Sequence, residues 1–297
     1  MNKLQTILVT GSKGQLGRSI QSIESDYPGY EFVFANHQQL DLSNETSVTE
    51  FFEYNTFDIV INCAAYTAVD NAEAEPELAN KINHLAVWQL ANMAKEKNAK
   101  LIHISTDYVF NGKKYRPYLE TDGVAPHGVY GQTKLNGEQA IQNTLKNNAI
   151  IIRTSWVYSE YGNNFVKTML KLGQERDSLN VIFDQVGTPT YAKDFAKAIM
   201  SIVQSKEFHQ ADFTTNIVHF SNEGVCSWYD FAKAIFELAN IQCHVNAIET
   251  KNYPTPAKRP HYSVLNKAKI KQTYHLTIPY WKDSLKQCLI ALQGKVL

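Results

Sequence analysis

Three glycines set between an apolar run and a helical pattern restrict the fold of this chain more than any other feature. Residues 6–10 read as a strand, and Gly11-Ser12-Lys13-Gly14-Gln15-Leu16-Gly17 follows as GxxGxxG. In such a turn the first glycine permits a tight reversal and the second lets backbone amides approach a pyrophosphate. The third lets helix pack on sheet. The helix that begins there offers free N–H groups and the positive end of its dipole to phosphate oxygens. Three glycines also serve ordinary turns, but this turn follows the first strand of a βαβ unit, which makes it a candidate dinucleotide site. Its candidate contacts are Gly11, Gly14 and Gly17.

The rest of the N-terminal half agrees with that reading. Apolar runs recur at 31–35, 58–63, 100–104 and 149–153, with helical patterns between them. Across 75–97, Leu78, Ile82, Leu85, Leu90 and Met93 return at helical spacing, and 130–145 is a second such stretch. Strand and helix in alternation imply crossover connections and a parallel sheet. The unbroken apolar run Ile59-Val60-Ile61 suits a sheet covered on both faces. After Arg153 the pattern loosens; Tyr, Trp, Asn and Pro become frequent, and helical signals return at 164–174, 192–203, 227–240 and 281–292. Residues 252–260, rich in proline and basic side chains, read as a loop. The expected fold is α/β: a Rossmann-type doubly wound parallel sheet with a smaller C-terminal substrate-binding lobe. Residues 1–154 belong mainly to the dinucleotide-binding domain and 155–297 mainly to the lobe, with segments around 180–203 returning to the first.

Composition narrows the partners. The 29 Lys and Arg balance 29 Asp and Glu, so net charge exerts no broad pull toward nucleic acid or membrane. The four cysteines, Cys63, Cys226, Cys243 and Cys288, are scattered and form no CxxC, which argues against a disulfide framework or a structural zinc site. No basic segment leads into a long apolar stretch and cleavage site, and no window approaches the roughly 18 apolar residues of a membrane span. The expectation is a cytoplasmic protein that binds small molecules.

The residues after the second strand, Phe34-Ala35-Asn36-His37, contain neither the acid that holds ribose hydroxyls nor an arginine for a 2′-phosphate. NADH and NADPH both stay open. Asp41 and Leu42 are candidates for the adenine side, with an ordinary helix N-cap as the other reading of Asp41.

The chemistry is carried by Tyr130-Gly131-Gln132-Thr133-Lys134, a YxxxK at a helix start. Four residues make about one helical turn, so both side chains project from the same face. A nearby ammonium favours phenolate and lowers the phenol pKa, as general acid–base work requires. By itself the motif also describes a solvated helix face. Ile102-His103-Ile104-Ser105-Thr106-Asp107, however, ends an apolar strand in hydroxyl side chains, at the strand end where open α/β sheets place ligands. Thr106 is placed to hydrogen-bond a substrate oxygen as it changes from carbonyl to alcohol. Thr106, Tyr130 and Lys134 together predict a hydride-transferring reductase that uses NADPH or NADH.

Further stretches carry a resemblance: NCAAYTAVD at 62–70, STDYVF at 105–110, VYGQTKL at 129–135, RTSWVY at 153–158, GNNFV at 162–166, DQ at 184–185 with GTPT at 187–190, and PAKRP at 256–260. With these and the glycine turn, the chain resembles the extended short-chain dehydrogenases. Within them it is similar to the dTDP-4-dehydrorhamnose reductase family over nearly its whole length. The resemblance implies reduction of the C4 keto group of a dTDP-keto-sugar, dTDP-4-dehydro-L-rhamnose, with Tyr130 donating the proton. It implies that Lys134 binds the nicotinamide ribose and depresses the Tyr130 pKa. It further implies that Thr106 and Asp107 contact the sugar, that Trp156 walls its pocket, that Ala64, Ala65 and Tyr66 line the cofactor, and that Gly14, Gln15 and Leu16 meet its pyrophosphate. Trp156 as core packing, and Arg259 either on substrate phosphates or in solvent, stay open.

His127 departs from the family pattern, where a smaller or amide residue is expected. Some relatives carry magnesium associated with dimerisation; no acidic cluster here specifies such a site, so no metal is assigned and a homodimer is an implication of the resemblance alone. Competing readings are another nucleotide-sugar reductase, an epimerase, or a non-catalytic NAD(P)-binding regulatory subunit. A dehydratase of this scaffold carries Asp-Glu after the threonine, whereas Tyr108 follows Asp107 here.

Overall fold

Strands whose alternate residues face opposite sides build the centre of the molecule. In the computed structural model, which describes residues 4–211 and 213–294, β1 (Gln5–Thr10), β2 (Tyr30–Ala35), β3 (Ile59–Asn62), β4 (Lys100–Thr106), β5 (Ala149–Thr154) and β10 (Asn216–His219) form one parallel sheet. Its order is β10-β5-β4-β3-β1-β2. Ile7, Val9, Ile59, Ile61, Ile102, Ile150 and Ile152 face one side, where Ile20 of α1 (Gln15–Gln21), Phe195 and Ile199 of α8 (Ala192–Gln204) and Ile270 of α10 (Ala268–Tyr274) cover them. Leu8, Val60, Leu101 and Ile151 face the other, against Val48 and Phe52 of α2 (Glu45–Tyr54), Leu90 of α5 (Ala86–Glu96) and Ile141 of α6 (Val129–Thr144). Side chains along a strand alternate with a period of two, so one continuous apolar run feeds both cores. The strand order reverses between β1 and β3, and in such sheets ligands occupy the crevice beyond the carboxyl ends at that reversal.

The helical stretch expected across 75–97 is interrupted. It consists of α4 (Pro76–Asn80), a π-turn (Lys81–Leu85) and α5. Within the π-turn the buried Asn83 pairs with the backbone of Tyr66, accepting from its N–H at 2.9 Å and donating to its carbonyl at 3.0 Å. The widened turn thereby ties the helix to the loop after β3, a use of π-bulges that recurs near functional sites. Periodicity did not single out α2, which starts on the Asn44 side chain accepting from Thr46 and Ser47 N–H.

A second core occupies the C-terminal side. α7 (Phe165–Glu175), α9 (Trp228–Ala239) and α11 (Trp281–Gln293) pack Val166, Phe231, Ile235 and Leu285 together with Tyr158 and Trp281. Short strand pairs join them: β6 (Val157–Tyr158) with β9 (Thr190–Tyr191), β7 (Ser178–Ile182) with β12 (His244–Ile248), and β8 (Val186–Gly187) with β11 (Cys226–Ser227). The return to the sheet is wider than expected around 180–203. β7 stays with the lobe, whereas α8, β10 and α10 each rejoin the sheet layer. No helix among the described residues is long and apolar enough to cross a membrane.

Candidate active site

A cleft of about 790 Å³ opens at the carboxyl ends of the strands and is lined by residues of both cores. Its floor is the glycine turn. Gly11 has φ of +63°, and a Cβ there would come within 2.8 Å of the Ala64 backbone, so the turn and the loop after β3 meet without a side chain between them. Gly14 caps α1 without a side-chain bond, which leaves the first helical N–H groups free to meet phosphate oxygens. Gly11, Gly14, Gln15 and Leu16 line the cleft; Gly17 does not. A Cβ on Gly17 would lie 2.5 Å from the Gly11 carbonyl oxygen, so its part is to let α1 close on the turn. Gln15 does more than expected: its Oε1 accepts from Ser159 Oγ at 3.1 Å and Asn164 Nδ2 at 2.9 Å, clasping the lobe to the turn.

Beyond β2 the cleft is lined by Asn36, His37, Leu40, Asp41, Leu42 and Ser43. The N-cap reading of Asp41 is corrected, since Asn44 caps α2. Asp41 Oδ1 instead accepts from Ser43 N at 2.8 Å and Ser43 Oγ at 2.7 Å, with His37 at 3.3 Å. Burial pushes the Asp41 carboxyl up, but the Ser43 hydrogen bonds and His37 outweigh it and hold it below the usual range. Ala64 and Ala65 line the cleft, while Tyr66 lies outside the lining and donates its hydroxyl to Glu75 at 2.5 Å.

Thr106 ends β4, and Tyr130 stands in the first turn of α6. Two features bring them together. Glu73 of α3 (Val69–Ala74) accepts from Val129 N–H at 2.9 Å and so anchors the start of α6. A Cβ on Gly131 would lie 2.4 Å from the Tyr108 carbonyl oxygen, so glycine alone lets that turn press on the loop after β4. The Tyr108 and Tyr130 rings meet edge to face at 5.4 Å.

The expected depression of the Tyr130 pKa by Lys134 is corrected. Burial of the phenol dominates and pushes it up to about 12, against the Thr106 hydroxyl that pulls it down. The lysine is occupied elsewhere: Lys134 Nζ donates to the Ile104 carbonyl at 2.6 Å and lies 3.2 Å from His103 Nε2. Its own pKa falls to about 8 through burial, opposed by the Glu138 carboxylate. Tyr130 therefore holds its proton at neutral pH, the state a proton donor needs. Asp107, 2% exposed, is pushed up to about 7 by burial, against the hydroxyls of Ser263 and Thr106.

The lobe contributes an aromatic wall. Trp156 (φ +48°) stacks on Trp228 with ring centroids 3.6 Å apart, and both line the cleft with Phe165 and Phe231. Trp228 was not singled out from sequence, although Ser227 and Asp230 form a capping box that places it at the first position of α9. Arg259 lies outside the cleft lining. Its guanidinium grips both oxygens of Asp70 at 2.6 and 3.1 Å, so it is not alone in solvent. Beneath the strand ends lies a further unpredicted group: Glu138 accepts from Arg153 Nε at 2.9 Å, Arg153 Nη2 at 2.6 Å and Ser105 Oγ at 2.5 Å. Glu138 follows Tyr130 and Lys134 at i+8 and i+4, the spacing that could have revealed it.

Comparison with known proteins places this geometry. The RmlD substrate binding domain family matches residues 5–293. The dTDP-4-dehydrorhamnose reductase of Aggregatibacter actinomycetemcomitans is 43% identical over 287 residues, covering 94% of this chain and 97% of that protein. The crystal structure of a dTDP-4-dehydrorhamnose reductase from Clostridium acetobutylicum superposes with a TM-score of 0.91 at 42% identity, covering 97% of this chain and 99% of that one. The Bacillus anthracis reductase, crystallised in complex with NADP, gives a TM-score of 0.90 at 37% identity, covering 97% and 100%.

Proposed function

The chain belongs to the RmlD substrate binding domain family, and from that premise we propose that it reduces the C4 keto group of dTDP-4-dehydro-L-rhamnose to dTDP-L-rhamnose. It is an NAD(P)H-dependent oxidoreductase whose relatives are dTDP-4-dehydrorhamnose reductases. The observation that carries the residue roles is the convergence of Thr106, Tyr130 and Lys134 on one cleft above the glycine turn.

The residues present fit a nicotinamide dinucleotide. Gly11, Gly14, Gln15 and Leu16 would meet its pyrophosphate through backbone N–H groups, with Asp41 and Leu42 on the adenosine side and Ala64 and Ala65 along its length. When bound, the reduced nicotinamide supplies the hydride that forms the new C–H bond at C4. As that bond forms, the carbonyl π pair moves to the C4 oxygen and Tyr130 gives up its phenolic proton there, completing the hydroxyl. The Thr106 hydroxyl steadies the same oxygen as charge develops. Lys134 would hold the nicotinamide ribose beside Tyr130. Asp107 and the face of Trp156 bind the sugar, in a division of labour that gives the cofactor to the sheet and the sugar to the lobe. Exposed Leu78, Leu85 and Trp88 on the α4–α5 side support association as a homodimer, which sedimentation reads directly.

The deciding experiment follows NADPH and NADH oxidation with dTDP-4-dehydro-L-rhamnose against UDP and GDP keto-sugars. Preferential turnover of the dTDP sugar is expected. Equal rates with all three would leave only a general nucleotide-sugar reductase. An epimerase would interconvert sugars with no net oxidation of coenzyme.

A further inference from the structure

Lys134 ends a buried polar row that the roles above do not explain. Thr10, Asn62 and His103 stand in register on β1, β3 and β4. With Lys134, none of them is more than 1% exposed. Asn62 Oδ1 accepts from Thr10 Oγ1 at 2.6 Å and from Ala64 N–H at 3.2 Å. Asn62 Nδ2 lies 3.0 Å from His103 Nδ1, and His103 Nε2 lies 3.2 Å from Lys134 Nζ.

The proton positions in this row follow from one fixed donor. A backbone N–H can only donate, and Ala64 N–H has the Asn62 oxygen at 3.2 Å as its nearer acceptor, with Thr10 Oγ1 at 3.4 Å, so the Asn62 oxygen faces Ala64 and its NH₂ faces His103. An amide NH₂ also only donates, so His103 Nδ1 receives it with a lone pair. The neutral ring then carries its proton on Nε2, pointed at Lys134. An ammonium has three N–H groups and no lone pair, so it would meet Nε2–H donor to donor. An amine accepts that hydrogen and still donates to the Ile104 carbonyl. Turning the Asn62 amide would rescue the ammonium only by setting NH₂ against the Ala64 N–H.

We infer that His103 is a positioning residue for the reaction: locked by Asn62 as the Nε2–H tautomer, it aims a donor at Lys134 and favours that lysine's amine form. The inference rests on the proposed function only in taking Lys134 as part of the reductase site. The other charged and titratable groups around Lys134 are largely committed. Glu138, one turn along α6, is paired with Arg153 of β5. Glu73 of α3 is taken by Val129, and His84 of the π-turn by Asn80. Tyr130 is protonated, and Asp107, after β4, is half-neutral near pH 7. Burial acts on Lys134 in the same direction as His103 and keeps His103 itself uncharged. Lys134 is then a group that exchanges its proton near neutrality rather than a fixed positive charge.

Two measurements test this, and neither requires turnover. In protein labelled with ¹⁵N-histidine, the His103 ring, distinguished from the other eight of the nine histidines by its contacts with Asn62 and Lys134, should show a protonated Nε2 and a bare Nδ1 at about pH 9 to about pH 10, where Lys134 is the amine. The Nδ1–H tautomer or an imidazolium in that range would overturn the inference on the unaltered protein alone. In the second measurement, ¹³C-labelled lysine reports the titration of Lys134 in the wild type and in His103→Gln, which brings an amide oxygen to the ammonium. An upward shift of about one unit or more is expected, and an unchanged or lower value counts against the proposal. If His103→Gln fails to fold, the tautomer measurement still decides. A correct tautomer in a protein inactive on the dTDP sugar would sink the proposed function and leave this inference standing.

Discussion

The sheet side of the cleft and the lobe side meet the substrate through different materials. On the sheet side Lys134, His103, Glu138 and Arg153 are each 3% exposed or less and are held by partners fixed between the strands and α6. On the lobe side Trp156, Trp228, Phe165 and Phe231 offer ring faces, supported mainly by stacking. A buried charge costs free energy unless it is paired, and the Arg153–Glu138 pair and the Lys134 contacts meet that demand, so the charges on the sheet side are placed in advance. Ring faces carry little directional demand and accommodate a ligand by small adjustments. The difference separates chemistry from recognition, and substitutions on each side should affect different quantities.

The largest effect should come from Tyr130→Phe. Turnover should fall by about 10²–10⁴-fold, the usual worth of a positioned proton donor, with coenzyme affinity nearly unchanged by fluorescence titration. Retained turnover would remove the chemistry from the sheet side. Next, Glu138→Gln should destabilise the protein by about 3–5 kcal/mol, because it leaves Arg153 charged, buried and unpaired. Denaturant unfolding measures this, and a loss under about 1 kcal/mol would mean that the pair is not what holds the sheet side's charges in place.

Asp107→Asn should give a smaller effect that changes with pH. The folded-state pKa, near 7, lies above the ordinary carboxylate value, so the native state binds the extra proton and stability falls as pH rises between those two values. The amide removes that cost. Its melting temperature should therefore exceed that of the wild type at about pH 8, by about 1–3 kcal/mol in stability, and not at about pH 4. The same offset at both pH values would show that the carboxyl is not strained by burial. The smallest effect belongs to the lobe: Trp228→Ala should raise the sugar KM a few-fold to about tenfold, the worth of one aromatic stacking pair, with little change in kcat. A drop confined to kcat would erase the distinction between the two sides.

Much of the sheet side was legible along the chain. The five N-terminal strands begin and end within two residues of the expected runs, because alternation in an apolar run is a local signal. The YxxxK turn and the glycine turn were legible for the same reason, each being set by the geometry of a few consecutive residues. The lobe was harder to read. Its strands are two to five residues long and pair with segments far away in sequence, so no local period marks them. Tyr66 and Arg259 show another limit: both belong to recognisable motifs, yet each spends its polar end on a partner, Glu75 or Asp70, that no spacing rule selects.

The sequence by itself determined the α/β order of elements, the turn that approaches phosphates, and the shared face of Tyr130 and Lys134. These depend on backbone sterics and side-chain direction within one or two turns of chain. Only the tertiary structure decided how those groups ionise and what they hold. Gln15 meets Asn164 across 149 positions, Arg259 meets Asp70 across 189, and burial lifts the Tyr130 phenol while pulling Lys134 down. Desolvation and long-range pairing are properties of which segments pack together, and packing exists only once the chain has folded.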